Sequence, residues 1–145
     1  MSRFVARYRK LPFKIKKRLV IENDDKSYGV ADCCDIHAQT GFPVVLDTLH
    51  HTIRNEGESV RDAFMMSSAT WKREDGMPIV DYSTQDQKKR PGSHAETIDP
   101  GEFRKFIAAM RGLEFDVMFE IKDKETSALQ AAAILAKHRV RTSAR

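Results

Sequence analysis

The sequence has no long hydrophobic run and few cysteines. No apolar stretch approaches the roughly 20 residues that a membrane-spanning helix requires, so the sequence predicts no membrane partner. The basic segment at residues 1–18 lacks the apolar core of a signal peptide. The only two cysteines, Cys33 and Cys34, are adjacent, and neighbouring cysteines rarely bridge each other. These absences predict a cytoplasmic protein without a structural disulfide.

The composition of the chain is that of a folded domain. Its 145 residues are 41% hydrophobic and 32% charged, which argues against intrinsic disorder. This length suits a single domain with its own core, so we expect one domain over residues 1–145. The net charge of +4 is a mild basic bias that is compatible with a polyanionic partner.

Short apolar runs alternate with helix-like segments along the chain. The runs typical of buried strands are "RLVIEN" (18–23), "FPVVLD" (42–47), "MPIVDYS" (77–83) and "FDVMFEIK" (115–122). The segments with helical patterns or caps are 27–41, 58–76, 99–112 and 124–140, after a first helix over 2–16 that Pro12 interrupts. Continuous apolar strands joined by helical crossovers predict a parallel sheet covered by helices, that is, an α/β fold of four successive βα units.

Each predicted strand carries an acid at or near its carboxyl end. These acids are Glu22, Asp47, Asp81 and Glu120. In a (β/α) barrel the carboxyl ends of the strands and the loops after them build the active site. Four carboxylates brought together would repel each other unless cations neutralise them, so the pattern predicts a divalent metal site.

Histidines follow the second and third of these acids. His50 comes three residues after Asp47, and His94 lies in the long loop after the third strand. Mixed carboxylate and imidazole ligands suit manganese, zinc or iron better than calcium. We expect His50 and His94 to be metal ligands and His51 to support the ligands. The other two histidines, His37 and His138, are expected to lie on the surface.

Several motifs, in order and at matching spacing, resemble the C-terminal half of UV damage endonuclease. They are "LVIENDD", "VVLDTLHH", "DYSTQ" with "GSHAETID", and "DVMFEIKDKE", and they extend from residue 18 to about residue 130. Members of that family are TIM barrels that bind two or three divalent metals, typically manganese, and nick DNA immediately 5′ of UV photoproducts.

The resemblance implies a role for each candidate residue. Glu22 would bridge the metals, Asp47 and His50 would bind from the next strand, His94 from the following loop, and Glu120 from the last strand. Glu22, Asp47, His50 and Glu120 are then expected to be catalytic, and UV-damaged double-stranded DNA is the expected partner.

The chain departs from the family pattern in two respects. Ile79 and Asp81 stand where the family commonly has a lysine and a histidine; Asp81 can bind a metal through oxygen, but Ile79 cannot. A complete barrel needs eight units and about 250 residues, and this sequence offers four. We therefore expect a truncated or internal start, with an N-terminal half-barrel or a second copy as a possible partner.

The basic run in "DQKKR" (86–90) lies in the same loop as His94. Lys88, Lys89 and Arg90 are candidate phosphate contacts, and an ordinary solvated charge run explains them equally well. Trp71 is expected to be a packing residue. Two alternatives to a repair endonuclease stay open: a sugar isomerase or epimerase of the same barrel type, and a fragment that folds without catalysing a reaction.

Overall fold

The strands and helices alternate as the apolar runs predict. The computed structural model describes the backbone of residues 1–143 and the side chains up to residue 137. Its strands are β1 (Ile21–Glu22), β2 (Val44–Asp47), β3 (Ile79–Tyr82) and β4 (Asp116–Phe119). Its helices are α1 (Ser2–Arg9), α2 (Phe13–Lys16), α3 (Val30–Thr40), α4 (Thr48–Ile53), α5 (Val60–Ser68), α6 (Pro100–Ala109) and α7 (Glu125–Ser143), with a 3-10 turn at Arg73–Asp75.

The four strands form one parallel sheet in the order β1-β2-β3-β4. Asp47 is paired in register with Asp81, and Asp81 with Met118. Each strand therefore lies beside its predecessor, with a crossover of one or more helices between them, as in a segment of a TIM-type barrel. This confirms the predicted α/β class with four successive βα units.

The core lies between the sheet and the helices. Leu46, Val80 and Tyr82 on the outer face of the sheet pack against Phe103 and Phe106 of α6. The Tyr82 ring centroid is 5.0 Å from that of Phe103 and 4.9 Å from that of Phe106. This one-sided packing turns the strand-end acids toward the opposite, inner face.

The inner face of the sheet is open at its two edges. Val20, before β1, is 43% exposed, and Met118 on β4 is 49% exposed. An exposed apolar inner face is what four units of an eight-unit barrel would present, because the other half normally covers it.

Side-chain hydrogen bonds set the helix ends. Asp99 accepts hydrogen bonds from the N–H groups of Gly101 and Glu102 at the start of α6. Helix α3 ends as predicted at Gly41, whose φ of 78° is a left-handed conformation that favours glycine. It begins after Gly29 rather than at Ser27, because the Gly29 N–H donates to the Asp32 carboxylate over 3.0 Å.

One predicted helix was wrong in its extent, and one short helix was not predicted. Residues 58–76 are not one helix: α5 ends at Ser68, because Thr70 leaves it to accept a hydrogen bond from the N–H of Val44 over 2.8 Å. The Trp71 indole N–H donates to the carbonyl of Val44 over 2.7 Å, so Trp71 is a packing residue as expected. Helix α4, directly after Asp47, was not predicted at all.

The search for membrane spans covered the described residues. None of the helices there combines the length and apolar character that crossing a membrane requires.

Candidate metal centre

Three predicted ligands meet at the carboxyl ends of β1 and β2. Glu22, Asp47 and His50 each offer a ligand atom, and these atoms lie within 4.8 Å of one another. Glu22 is exposed, His50 is partly buried, and Asp47 is 1% exposed. The parallel strands bring the two carboxylates to one edge of the sheet, as the sequence predicted.

Helix capping places His50 beside Asp47. One carboxylate oxygen of Asp47, Oδ1, accepts the backbone N–H of His50 over 2.8 Å and so caps α4. The other oxygen, Oδ2, is 3.1 Å from His50 Nδ1. Nδ1 is also 3.0 Å from the carbonyl oxygen of Asn23. When Nδ1 carries the proton for these acceptors, Nε2 presents a free lone pair, which is the usual arrangement of a metal-binding histidine.

Asn23 joins the two strands below the centre. Its side chain is fully buried, with Oδ1 accepting the Asp47 N–H over 2.9 Å and Nδ2 donating to the Asp47 carbonyl over 3.0 Å. The side chain thus extends the backbone pairing of β1 and β2 by one rung. The sequence interpretation missed this residue; the available signal was a polar side chain between the strand-end acid and the turn.

Asp81 is the most perturbed carboxyl group of the centre. It is 2% exposed, and within the described part of the chain its Oδ1 has no hydrogen-bond partner. Burial, a hydrogen bond with Glu22, and the charges of Glu120 and Asp47 raise the pKa of Asp81 to about 8. A buried carboxyl oxygen without a partner among other carboxylates is the donor that a divalent cation would satisfy.

Burial also raises the pKa of Asp47, and the charges of Glu22 and Glu120 act in the same direction. His50 opposes the shift through its backbone N–H and its ring. The electrostatic environment is therefore deficient in positive charge, and the donor set of carboxylate and imidazole groups fits manganese, iron or zinc.

His94 and Glu120 lie together at the rim of the centre. The Nδ1 of His94 is 2.9 Å from the carbonyl oxygen of Glu120 and 3.5 Å from its Oε2. The rings of His94 and His50 have centroids 6.2 Å apart. The pairing of His94 with Gln85 closes the loop after β3 and brings the imidazole back toward the strand ends.

The remaining candidates have other surroundings. Ile79 is the first residue of β3 and is paired with Asp116. It stands two residues before Asp81, on the same face of the sheet.

His51 is buried and its Nε2 is 3.2 Å from Glu58 Oε1, so it contacts the segment before α5 rather than supporting a ligand. His37 Nδ1 is 2.7 Å from the Phe42 carbonyl, a local contact of a half-buried side chain. The side chain of His138 lies outside the described residues.

The basic loop after β3 is exposed. Lys88, Lys89 and Arg90 are all exposed at the tip of the loop between β3 and α6. Lys89 Nζ is 3.2 Å from Asp86 Oδ2.

Comparison with known families matches the whole described chain. The family described as UV-endonuclease UvdE matches residues 1–143. The chain belongs to the UvdE family. The UV DNA damage endonuclease of Clostridium perfringens is 35% identical over 129 residues, which are 88% of this chain and 31% of that protein. The UV DNA damage endonuclease of Bacillus cereus strain Q1 is 33% identical over 132 residues, which are 90% of this chain and 42% of that protein.

A solved UvdE-family structure has the same fold. The crystal structure of SacUVDE superimposes with a TM-score of 0.88 and 47% sequence identity, over 95% of this chain and 46% of the solved one. The chain spans less than half the length of these UvdE relatives.

Proposed function

We propose that this chain supplies the metal-binding βα units of a DNA repair endonuclease. The complete enzyme would cut the phosphodiester backbone on the 5′ side of UV photoproducts, with Mn²⁺ as its metal. The observation that supports this proposal best is the convergence of Glu22, Asp47 and His50 at the strand ends of a UvdE-family fold. Family membership favours phosphodiester cleavage over the sugar isomerase alternative.

Each residue of the centre has a separate task in this proposal. Glu22, exposed at the end of β1, would hold metal from the open side, and buried Asp47 would hold it from below. His50 Nε2 would bind while Nδ1 keeps the ring in place against Asn23. Asp81 would provide Oδ1, which has no hydrogen-bond partner among the described side chains, as a further oxygen ligand. Bound divalent ions supply a polarised water and neutralise charge on the phosphate and the leaving oxygen.

His94 and Glu120 would complete the centre from the side of β4. Their contact over 3.5 Å joins the loop after β3 to the end of β4, so that a carboxylate and an imidazole face the other ligands together. Lys88, Lys89 and Arg90 extend from the same loop and would contact DNA phosphates without reading the base sequence.

We further propose that incision needs four more βα units, in the same polypeptide or in trans. A TIM barrel closes with eight strands, and the four described here leave Val20 and Met118 exposed on the inner face. The relatives named UV DNA damage endonuclease are more than twice as long as the segment they share with this chain. Lesion selection would then use residues of those additional units.

Metal binding tests the centre directly. We expect calorimetric titration with Mn²⁺ to show binding to the wild-type chain and a loss of about 100-fold or more in affinity for His50→Ala, because a direct ligand is removed. His37→Ala is the matched control, since His37 is half-buried and its Nδ1 lies 2.7 Å from the carbonyl oxygen of Phe42, just after α3. Equal affinity in the wild-type and His50→Ala proteins would contradict the ligand assignment.

Nicking of UV-irradiated plasmid tests the reaction. We expect very little lesion-selective incision by the 145-residue chain with Mn²⁺, and restored incision after co-expression with the four N-terminal units of a relative. Asp47→Ala should prevent the restoration. Efficient lesion-selective cutting by this chain alone would refute the requirement for further units, and conversion of a ketose without nicking would support the isomerase instead.

A further inference from the structure

The positive charge of the chain is concentrated in its first eighteen residues. Residues 1–18 contain eight lysines or arginines and no acid, although the whole chain has a net charge of only +4. These basic side chains are Arg3, Arg7, Arg9, Lys10, Lys14, Lys16, Lys17 and Arg18. All are exposed except Lys16, which is partly buried. Among the described side chains, none of the eight forms a salt bridge, so their charge is not locally neutralised.

Part of this segment lines a cleft at the amino ends of the strands. The cleft has a volume of about 430 Å³ and is bordered by residues that directly precede β1 and β2 and by Ile79, the first residue of β3. Its basic side chains are Lys16, Lys17, Arg18 and Lys72, and its aromatic ones are Tyr8, Phe13, Phe42 and Trp71. We call this region the basic cleft. Glu74 and Asp75 are its acidic residues, so basic side chains outnumber acidic ones there.

The basic cleft and the metal centre lie at opposite ends of the sheet. The cleft borders the first residues of the strands, whereas Glu22 and Asp47 are the last residues of β1 and β2. A strand of four residues separates the two ends by about 13 Å. A phosphate group that is bound at the metal centre therefore cannot contact the basic cleft at the same time.

Side-chain contacts made by residues 1–18 determine the shape of the basic cleft. The Tyr8 ring centroid lies 4.8 Å from that of Phe42, which anchors α1 to the segment that leads into β2. Lys16 Nζ donates to the carbonyl of Arg9 over 2.9 Å and so ties α2 to the end of α1. Phe13 remains 69% exposed, with Lys17 Nζ 4.9 Å from its ring centroid. The exposed charges thus stand on a defined surface.

We propose that the basic cleft is a second nucleic-acid contact, which binds the phosphate backbone of duplex DNA without sequence preference and independently of the metal centre. A row of unpaired lysines and arginines releases condensed counterions from a duplex and gives salt-dependent binding of this kind. That the polyanion is DNA rests on the proposed function. Such a contact would hold the protein on undamaged DNA, while the metal centre at the opposite end of the sheet remains free to contact the duplex.

Binding of undamaged duplex in the presence of a chelator tests this proposal separately from incision. Fluorescence anisotropy would follow a labelled duplex of random sequence at several salt concentrations, with EDTA present. The test variant is Lys17→Gln/Arg18→Gln/Lys72→Gln, which removes three exposed charges of the cleft. The matched control is Arg104→Gln/Lys105→Gln/Arg111→Gln, which removes three exposed charges on and just after α6.

We expect the cleft variant to weaken binding at 0.1 M salt by about tenfold or more. The slope of log K against log salt should become shallower by about 2.7, because each lost phosphate contact contributes about 0.9. The α6 variant should keep the wild-type slope. Lys17→Arg/Lys72→Arg should bind as the wild type does, and both triple variants should bind Mn²⁺ normally, which shows that the metal centre is intact.

Three results would overturn the proposal. One is an unchanged affinity in the cleft variant, which would place all duplex binding elsewhere. Another is an equal loss of affinity in both triple variants, which would show that binding depends on the total charge of the protein and not on the basic cleft. The third is charge-dependent binding of anionic lipid vesicles by the cleft with no effect on the duplex, which would assign the surface to a membrane.

Discussion

The metal-free centre should destabilise the fold at neutral pH, and Asp81→Asn should relieve that cost. Burial and the neighbouring carboxylates raise the pKa of Asp81 from its ordinary 3.8 to about 8. Between these two values the folded chain binds a proton that the unfolded chain has lost. Stability in the absence of metal therefore falls as the pH rises from about 4 to about 8.

The magnitude follows from the size of that shift. At pH 7 the folded chain keeps Asp81 protonated, whereas the unfolded chain has released that proton, and this difference lowers the free energy of unfolding by on the order of 4 kcal/mol relative to acid pH. The amide of Asp81→Asn occupies the same space, can donate to the Glu22 carboxylate and carries no charge. We expect the variant to be more stable than the wild type by about 1 to 4 kcal/mol at pH 7 with EDTA present, and to lack most of the decline with pH.

Urea unfolding followed by circular dichroism, at pH values from about 5 to 8, measures this difference. Asp116→Asn is the control, because Asp116 is exposed at the other end of the neighbouring strand. With Mn²⁺ present the order should reverse, since ionised Asp81 would then bind the metal and stabilise the wild type. A variant that is no more stable than the wild type in EDTA at pH 7 would refute the electrostatic reasoning.

Glu22→Gln keeps the size of the side chain and removes its charge, so we expect calorimetry to show no Mn²⁺ binding while circular dichroism stays unchanged; normal metal stoichiometry would contradict the assignment of Glu22 as a ligand. Asn23→Ala removes both hydrogen bonds to the buried backbone of residue 47, so the free energy of unfolding in urea should fall by about 2 to 4 kcal/mol. A loss below about 0.5 kcal/mol would contradict that role. Gly92→Ala would place a Cβ 2.5 Å from Asp25 Oδ2 at a φ of 79°, and should lower the melting temperature more than Gly57→Ala, whose φ is also positive but whose Cβ would meet open space. Equal losses would show that the contact with Asp25 is easily relieved.

The strands were predictable because their apolar runs are continuous and their order follows the chain. Parallel strands buried against helices on the outer face need few polar residues except at their ends, so both the strands and the strand-end acids were visible in the sequence. The end of α5 was not, because it depends on Thr70 and Trp71 bonding to Val44, twenty-six and twenty-seven residues earlier. A local helical pattern in the sequence contains no information about a hydrogen-bond partner so far away along the chain.

The candidate metal ligands could be predicted from the sequence, but the residues that hold them in place could not. Parallel strands end at one edge, so Glu22, Asp47 and His50 could be expected to meet. The role of Asn23 depends on the pairing of β1 with β2, and the unpartnered oxygen of Asp81 depends on which side chains surround it after folding. Both are tertiary properties that a strand-end pattern does not contain.

The spacing of Asp47 and His50 has a physical cause that the sequence interpretation missed. Asp47 is the N-cap of α4, and the third residue of a helix is the one whose N–H an N-cap side chain accepts. A histidine at that position is therefore placed beside the same carboxylate that caps the helix, with Oδ1 bonded to its N–H and Oδ2 near its ring. The three-residue interval thus serves the helix and the metal centre together. The missed helix α4 and the correctly predicted ligand pair are consequences of one aspartate.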